Sequence, residues 1–259
     1  MAMAFSELYR LAAAALAVSV LAGADAARAE DQPDDRPLGV VELFTSQGCN
    51  SCPPADELFA ELAAKPDLVA LSYHVDYWDY LGWRDTLSRK ENTERQFEYM
   101  RAFNNRSVYT PQAVINGRIH VNGASRPEVD GALDSMAKAG EGMQVGIRIS
   151  HTNDGVVIDA GRAAGGASNK LAHVVVVYFD APKTVTINRG ENGGRRLTYW
   201  NAVSDIQTAG MWHGEAKRYE LPMSEIAKKD GCAVLLQSVD KEGLPGPILG
   251  AALIRKPAH

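Results

Sequence analysis

The stretch Gly39–Leu62, GVVELFTSQGCNSCPPADELFAEL, limits the fold more than any other part of the chain. An apolar, β-branched run at Gly39–Phe44 gives way to the polar turn Thr45-Ser46-Gln47-Gly48. Two cysteines three positions apart, Cys49 and Cys52, come next, and Pro53-Pro54 open an amphipathic run that ends at Leu62. Prolines suit the first turn of a helix, where the missing N–H has no intrahelical partner in any case. The order is therefore strand, turn, CxxC, helix, with two thiols at a helix N-terminus just beyond an internal strand. The helix end favours a thiolate. Cys49, read as the exposed first cysteine, is the expected nucleophile, and Cys52, one turn in, the residue that resolves a mixed disulfide. Structural zinc needs four ligands, and only Cys232 remains, so no second pair completes such a site. A stable disulfide that never turns over is the alternative.

Leu58, Phe59 and Leu62 recur at helical spacing, and Lys65-Pro66-Asp67 stops the helix. Leu68–Val75 is a second apolar strand. Strand, helix and strand are most simply parallel and right-handed, and CxxC in that setting is the layout of a thioredoxin-like redox site. The segment His74–Trp83 (HVDYWDYLGW) should leave the sheet at the same edge as the first strand, which is the functional edge of an open α/β sheet. Ser88–Phe103 reads as a helix of an insertion that covers the site, with Phe97, Met100 and Phe103 on one face. Thr110-Pro111 then opens a strand before Asn116-Gly117, a hairpin signal between Ala113–Asn116 and Ile119–Asn122. A proline there fits a cis-proline loop facing the cysteines, which leaves backbone polar groups free for an extended polypeptide or thiol partner. Pro127–Ala139 is a closing helix with Val129, Leu133 and Met136 inward and Gly140 as its stop.

From Met143 the texture changes. Val145–Ser150, Val156–Ala160, Leu171–Phe179, Thr184–Asn188, Arg195–Trp200, Ala216–Leu221 and Cys232–Val239 are short runs divided by Gly, Asn and Asp. The spacing predicts an all-β module, a small sandwich. Asn188–Arg196 and Trp200–Trp212 read as loops. Cys232, before Ala-Val-Leu-Leu, reads as a buried core thiol, and His173 as a structural strand residue. The expected fold is thus an α/β thioredoxin-like domain with a helical insertion over residues 30–142, followed by a β-rich, sandwich-like domain over 143–259.

Residues 1–29 stand outside that fold. Leu11–Gly23 is a short apolar run preceded by Arg10, with Ala-Arg-Ala or Ala-Asp-Ala before candidate cleavage points, as in a secretory signal peptide. It falls short of the roughly 20 residues that span a bilayer comfortably, so the mature chain is expected to be secreted or periplasmic and to lack a membrane span. In an oxidising compartment a CxxC pair is disulfide-competent. The net charge of −5 over 259 residues supplies no field for nucleic acid.

Three segments carry a family resemblance: Val41–Asp56 (VELFTSQGCNSCPPAD), His74–Asp85 (HVDYWDYLGWRD) and Tyr109–Gln112 (YTPQ). With these the chain resembles DUF1223, a family of exported bacterial proteins of unknown function. The resemblance implies a thioredoxin-like fold with a β-rich extension and names no substrate. Asn-Ser between the cysteines, Pro-Pro after Cys52 and the long insert before Pro111 depart from ordinary thioredoxins and put general reductase activity in doubt.

The expected site is Cys49, Cys52 and Pro111, with His74, Asp76, Trp78 and Thr110 tuning it or facing substrate. Its partner is a protein or small-molecule thiol or disulfide, and no cofactor is required. His74 is expected to hydrogen-bond Asp76 or to tune Cys49. A rival reading takes Cys49, Cys52 and His74 as a soft-metal site suited to Cu(I), in a binding or delivery protein without turnover. Asp76, Asp79 and Asp85 among Tyr77, Trp78, Tyr80 and Trp83 could form a glycan- or peptide-binding wall.

Overall fold

A computed structural model describes residues 36–152, 155–163, 171–222, 224 and 229–255. The expected signal peptide and its cleavage points lie outside the described residues. No helix among the described residues is long and apolar enough to cross a membrane.

The first region is mixed α/β. Strand β1 (Gly39–Thr45) runs into helix α1 (Pro53–Ala64), and β2 (Leu68–His74) returns parallel to β1. A 3-10 turn at Asp79–Leu81 and helix α2 (Lys90–Ala102) follow, then the antiparallel pair β3 (Gln112–Ile115) and β4 (Ile119–Asn122), and helix α3 (Arg126–Lys138). The sheet order is β2-β1-β3-β4, with β1 antiparallel to β3. Asn116 and Gly117, with φ of 50° and 63°, make the hairpin turn that the Asn-Gly signal predicts. A side chain at position 117 is excluded twice, because a Cβ there would stand 2.5 Å from the Gly246 carbonyl.

The second region is all β. Strands β10 (Val203–Trp212), β7 (Ala172–Phe179), β12 (Gly231–Val239) and β13 (Pro245–Arg255) form one sheet in that order. Strands β11 (Lys217–Pro222), β6 (Gly155–Ala160) and β5 (Ile147–His151) form another, and β8 (Lys183–Thr186) pairs with β9 (Arg196–Tyr199). Two of these strands correct the sequence reading. Trp200–Trp212, read as loop, contains β10, whose register against β7 shifts twice. β13 escaped notice because Pro and Gly punctuate it, yet it pairs along β12.

The unbroken apolar runs of β7 and β12 follow from burial on both faces of the four-stranded sheet. Val174, Val176, Val234 and Leu236 pack with Ile158 of β6 and Leu221 of β11. Val175, Val177, Ala233 and Leu235 face the other way, against Val40, Phe44, Leu71 and Tyr73 of β1 and β2. The opposite face of β1 and β2 packs on α1 and α3 through Leu43, Ala70, Leu58, Phe59 and Val129.

Helix α2 overturns the expected inward face. Phe97 is 37% exposed, while Asn92, Thr93, Arg95, Gln96 and Tyr99 are buried. The reason lies at Glu42, fully buried on β1. Arg95 Nε donates to Glu42 Oε1 at 2.7 Å, and the Tyr99 hydroxyl donates to Glu42 Oε2. Arg95 also reaches Gln237 Oε1 on β12 at 2.9 Å, and Gln237 Nε2 donates to the Tyr99 oxygen and to the Gly246 carbonyl. A buried carboxylate of this kind is tolerable only when paired and hydrogen-bonded, and this network ties four elements from both regions together, β1, α2, β12 and β13. Arg95→Met should therefore destabilise the chain by roughly 3–5 kcal/mol, the cost of leaving one partner of a buried pair alone. Urea unfolding measures it, and a loss below about 1 kcal/mol would mean that Glu42 finds another partner.

Candidate redox site

Strands β1 and β2 end side by side, with Thr45 in register with His74, and the site is built at that shared edge. Cys52 is the N-cap of α1 and forms a disulfide with Cys49. Asn50 and Ser51 between them are exposed, but Cys49 is 1% and Cys52 0% exposed. The expectation of an exposed Cys49 is thus corrected: in the oxidised chain neither sulfur-bearing residue reaches solvent.

What lies around Cys49 explains its burial. Asn192, in the loop between β8 and β9, donates from Nδ2 to the Gln47 carbonyl at 2.9 Å and to the Cys49 carbonyl at 2.8 Å. Asn192 itself is 1% exposed. Gly48 lies against Trp78, where a Cβ would meet the Trp78 Cβ at 3.0 Å and its carbonyl oxygen at 3.2 Å. A side chain there would press the aromatic segment off the cysteine loop. The Thr110–Pro111 peptide bond is cis. Thr110 stands beside the cysteines: Trp78 Nε1 donates to its Oγ1 at 2.8 Å, and Ser51 Oγ donates to its carbonyl at 3.4 Å.

The structure brings Cys49, Cys52, Trp78 and Thr110 together and gives His74 a different partner from the expected one. His74, fully buried, bonds through Nδ1 to Asp85 Oδ2 at 2.8 Å. Asp76 instead accepts from Thr93 of α2. Asp85 also accepts the backbone N–H groups of Gln47 and Leu87. Burial alone would raise the Asp85 pKa, but His74 and these bonds outweigh it and hold it below the usual carboxylate value. Burial alone would lower His74, and Asp85, with a contribution from Asp56, raises it. The aromatic residues are partly committed to the scaffold. Trp83 Nε1 donates to Gln47 Oε1, Tyr77 Oη to Gln96 Oε1, and only Tyr80 stands out at 77% exposure.

Sequence reasoning missed Asp56, Asn192 and Tyr199. Asp56 sits on the buried face of α1, where Thr45 Oγ1 donates to its Oδ1 at 2.8 Å. Burial pushes its pKa up to about 7, against the Thr45 bond and His74, which favour the charged form. Tyr199 lies edge-on to His74, with ring centroids 4.6 Å apart. It is carried there by residues 200–202, which extend the sheet past β2 through Ser72 N to the Asn201 carbonyl and Asn201 Nδ2 to the Ala70 carbonyl. Cys232 is the buried thiol expected, its pKa raised by burial to about 11. Among the described residues no group of three or more His, Cys, Asp or Glu side chains is arranged to hold a metal ion, and both cysteines of the proposed copper set are tied in the disulfide.

The family model described as a protein of unknown function, DUF1223, matches residues 40–237, and the chain belongs to that family. The crystal structure of a protein from Agrobacterium tumefaciens is similar, with 47% identity and a TM-score of 0.79 over 86% of this chain and 97% of that one. HBP35 of Porphyromonas gingivalis resembles it in fold at 12% identity, with a TM-score of 0.58 over 85% of this chain and 75% of that one. No curated protein matches the chain.

Two outcomes follow from this geometry. Asn192→Ala removes two hydrogen bonds to the cysteine loop, each worth about 1 kcal/mol, and should speed reduction of the disulfide by a small thiol about tenfold or more. A rate equal to wild type would show that the loop does not limit access. Asp56 keeps its proton up to about pH 7 when folded but releases it near 3.8 when unfolded. Between these values the folded state binds more protons, so its stability falls as pH rises. Raised His74 adds to the fall above its ordinary 6.5, whereas lowered Asp85 acts only below 3.8. Asp56→Asn should flatten the decline between pH 4 and 7 by a few kcal/mol, read from unfolding midpoints across that range. A slope like that of wild type would mean that Asp56 ionises freely in the folded chain.

Proposed function

We propose that this DUF1223 protein is an exported thiol–disulfide oxidoreductase of thioredoxin-like fold, working through Cys49 and Cys52. One observation carries the reading: a CxxC disulfide caps α1 at the edge where parallel β1 and β2 end, with the Thr110–Pro111 segment beside it. Supporting the fold reading are the strand–helix–strand unit, the antiparallel hairpin and closing helix after it, and the order β2-β1-β3-β4. The all-β region adds a small sandwich whose β8–β9 loop sits on the cysteine loop.

In this reading a partner disulfide is attacked by the Cys49 thiolate at the helix N-terminus, which forms a mixed disulfide and releases one partner thiolate. Cys52 then attacks the Cys49 sulfur. The Cys49–Cys52 bond forms, the bond to the partner breaks, and the second partner thiol leaves. The two cysteines end oxidised by two electrons and the partner reduced by two, and the reverse sequence oxidises a partner dithiol. Pro111 and Thr110 line the approach on one side and Trp78 on another. The signal-like sequence before residue 30 supports a periplasmic or secreted setting, in which such a pair meets disulfide substrates.

The test combines potential with trapping. Equilibration with glutathione should give a reduction potential above about −300 mV, the level below which structural disulfides lie. Cys52→Ser should accumulate a mixed disulfide at Cys49 when offered a protein or small-molecule disulfide, and Cys49→Ser should not. A potential well below that level together with no trapped species would mark the disulfide as structural and end the proposal.

A further inference from the structure

Three buried polar atoms from three elements, Asp56 Oδ2 of α1, His74 Nε2 of β2 and Tyr199 Oη of β9, lack a hydrogen-bond partner among the described residues. They belong to one cluster. Thr45 and His74 are register partners on adjacent parallel strands, so their side chains leave the sheet on the same face. Thr45 holds one oxygen of Asp56, Asp85 holds one nitrogen of His74, and Tyr199 packs on the His74 ring. Unpaired buried polar atoms are costly, and a native structure keeps them where something other than packing uses them.

The position of Asp56 indicates that use. Its backbone N–H bonds the Cys52 carbonyl at 3.0 Å, so it lies one helical turn from the resolving cysteine. Residues four apart on a helix have Cβ atoms about 5–6 Å apart. The buried acid of β1, Glu42, is unavailable, because Arg95 and Tyr99 occupy its oxygens on the opposite face of the sheet. From these contacts we infer that Asp56 exchanges a proton with Cys52 during disulfide chemistry, and that His74, held by Asp85, positions and charge-balances it. The inference deepens the oxidoreductase reading and rests on it.

The proton balance is simple. When Cys52 attacks the mixed disulfide, its S–H proton passes to Asp56 Oδ2 and its sulfur bonds Cys49. The Cys49–partner bond breaks, and its electron pair leaves on the partner thiolate. When a partner thiolate reopens the internal disulfide by attacking Cys49, the pair leaves on the Cys52 sulfur and the proton returns from Asp56. The groups facing Asp56 that set its charge are Thr45 from β1, His74 from β2, Asp85 from the turn before α2, Tyr199 from β9, and Glu57, its neighbour on α1. Burial favours the neutral acid while imidazolium and hydroxyl favour the carboxylate, and the balance leaves Asp56 titrating at about 7. A proton acceptor works best when poised in this way near the operating pH.

Resolution of a Cys49 mixed disulfide with an aromatic thiol can be followed by stopped-flow release of the coloured thiolate, across the neutral range. Wild type should resolve faster as Asp56 ionises and level off above about pH 7. Asp56→Asn should be about 100-fold slower at neutral pH, in line with general-base contributions, and should recover at alkaline pH as Cys52 ionises unaided. His74→Gln should shift the midpoint of the wild-type profile while leaving the plateau largely in place. A second readout needs no variant: time-resolved infrared spectra of wild type, carboxylate-labelled at aspartate and taken just above neutral pH, should show a carboxyl gaining a proton as the mixed disulfide resolves. If wild type resolves the mixed disulfide but Asp56→Asn matches its rate and profile, or if that band is absent, the proton exchange is overturned while the oxidoreductase reading stands. If wild type never forms or resolves the mixed disulfide, both are overturned.

Discussion

The Glu42–Arg95 pair sets the arrangement on which the site depends. Glu42 points from an internal strand into a region where an unpaired carboxylate would not stay ionised, and Arg95 answers it from α2. That demand fixes the rotation of α2 about its axis and turns its polar side inward. With Arg95 in place, Asn92 reaches the His74 carbonyl, Thr93 holds Asp76, and Gln96 holds the Tyr109 carbonyl and Gln112. The two segments that flank the cysteines, one after β2 and one before β3, are therefore positioned by the helix the ion pair orients. Because Gln237 of β12 completes the same network, the first sheet and the four-stranded sheet are locked together through polar bonds as well as through their shared apolar layer.

That lock brings the all-β region to the candidate site. Its β8–β9 loop supplies Asn192 to the cysteine loop, and its β9–β10 connection runs along the open edge of β2 and delivers Tyr199 to His74. A thiol pair at a helix N-terminus needs no second region to exist, but here that region hydrogen-bonds the cysteine loop and helps to bury it. Asn192, which bonds the Cys49 carbonyl, comes from 143 positions away in sequence.

The elements with local signals were legible. β1, α1, β2, the Asn116-Gly117 hairpin and α3 follow from apolar spacing, prolines at a helix start and a glycine at positive φ. The cysteine pair, the neighbourhood of Thr110 and Trp78, and the buried state of Cys232 were legible too, because each depends on short spacing or on a run of apolar neighbours. What escaped had no local signal. The sequence of α2 offers aromatic residues at i, i+3 and i+6, and nothing nearby reveals that a carboxylate 53 positions earlier demands Arg95 instead. Asp56 reads as an ordinary solvated acid in the first turn of a helix, and only the Thr45 hydroxyl and the cover from β9 bury it. His74 has two aspartates in reach along the chain, and the loop geometry after Trp83 selects the more distant one. β13 was hidden by Pro and Gly, which ordinarily argue against a strand and here accompany its register shifts.

Glu42 and Asp56 are both buried acids beneath the same sheet edge, one on each face, and the contrast between them separates scaffold from chemistry. Both oxygens of Glu42 have partners, a full positive charge sits against it, and its network ends in bonds that no reaction needs to break. Asp56 has one oxygen held by a neutral hydroxyl and the other unpaired, and the imidazole that interacts with it is itself bonded to a different carboxylate. A fully paired buried charge stays in a single protonation state, which suits a structural tie. A half-paired acid whose neighbours pull it both ways changes state at small cost, and it does so one helical turn from Cys52. An apolar residue at position 56 would cost the Thr45 hydroxyl its acceptor but would remove a buried acid with one oxygen unpaired, so stability alone does not account for a carboxylate there. The proposed proton exchange with Cys52 does.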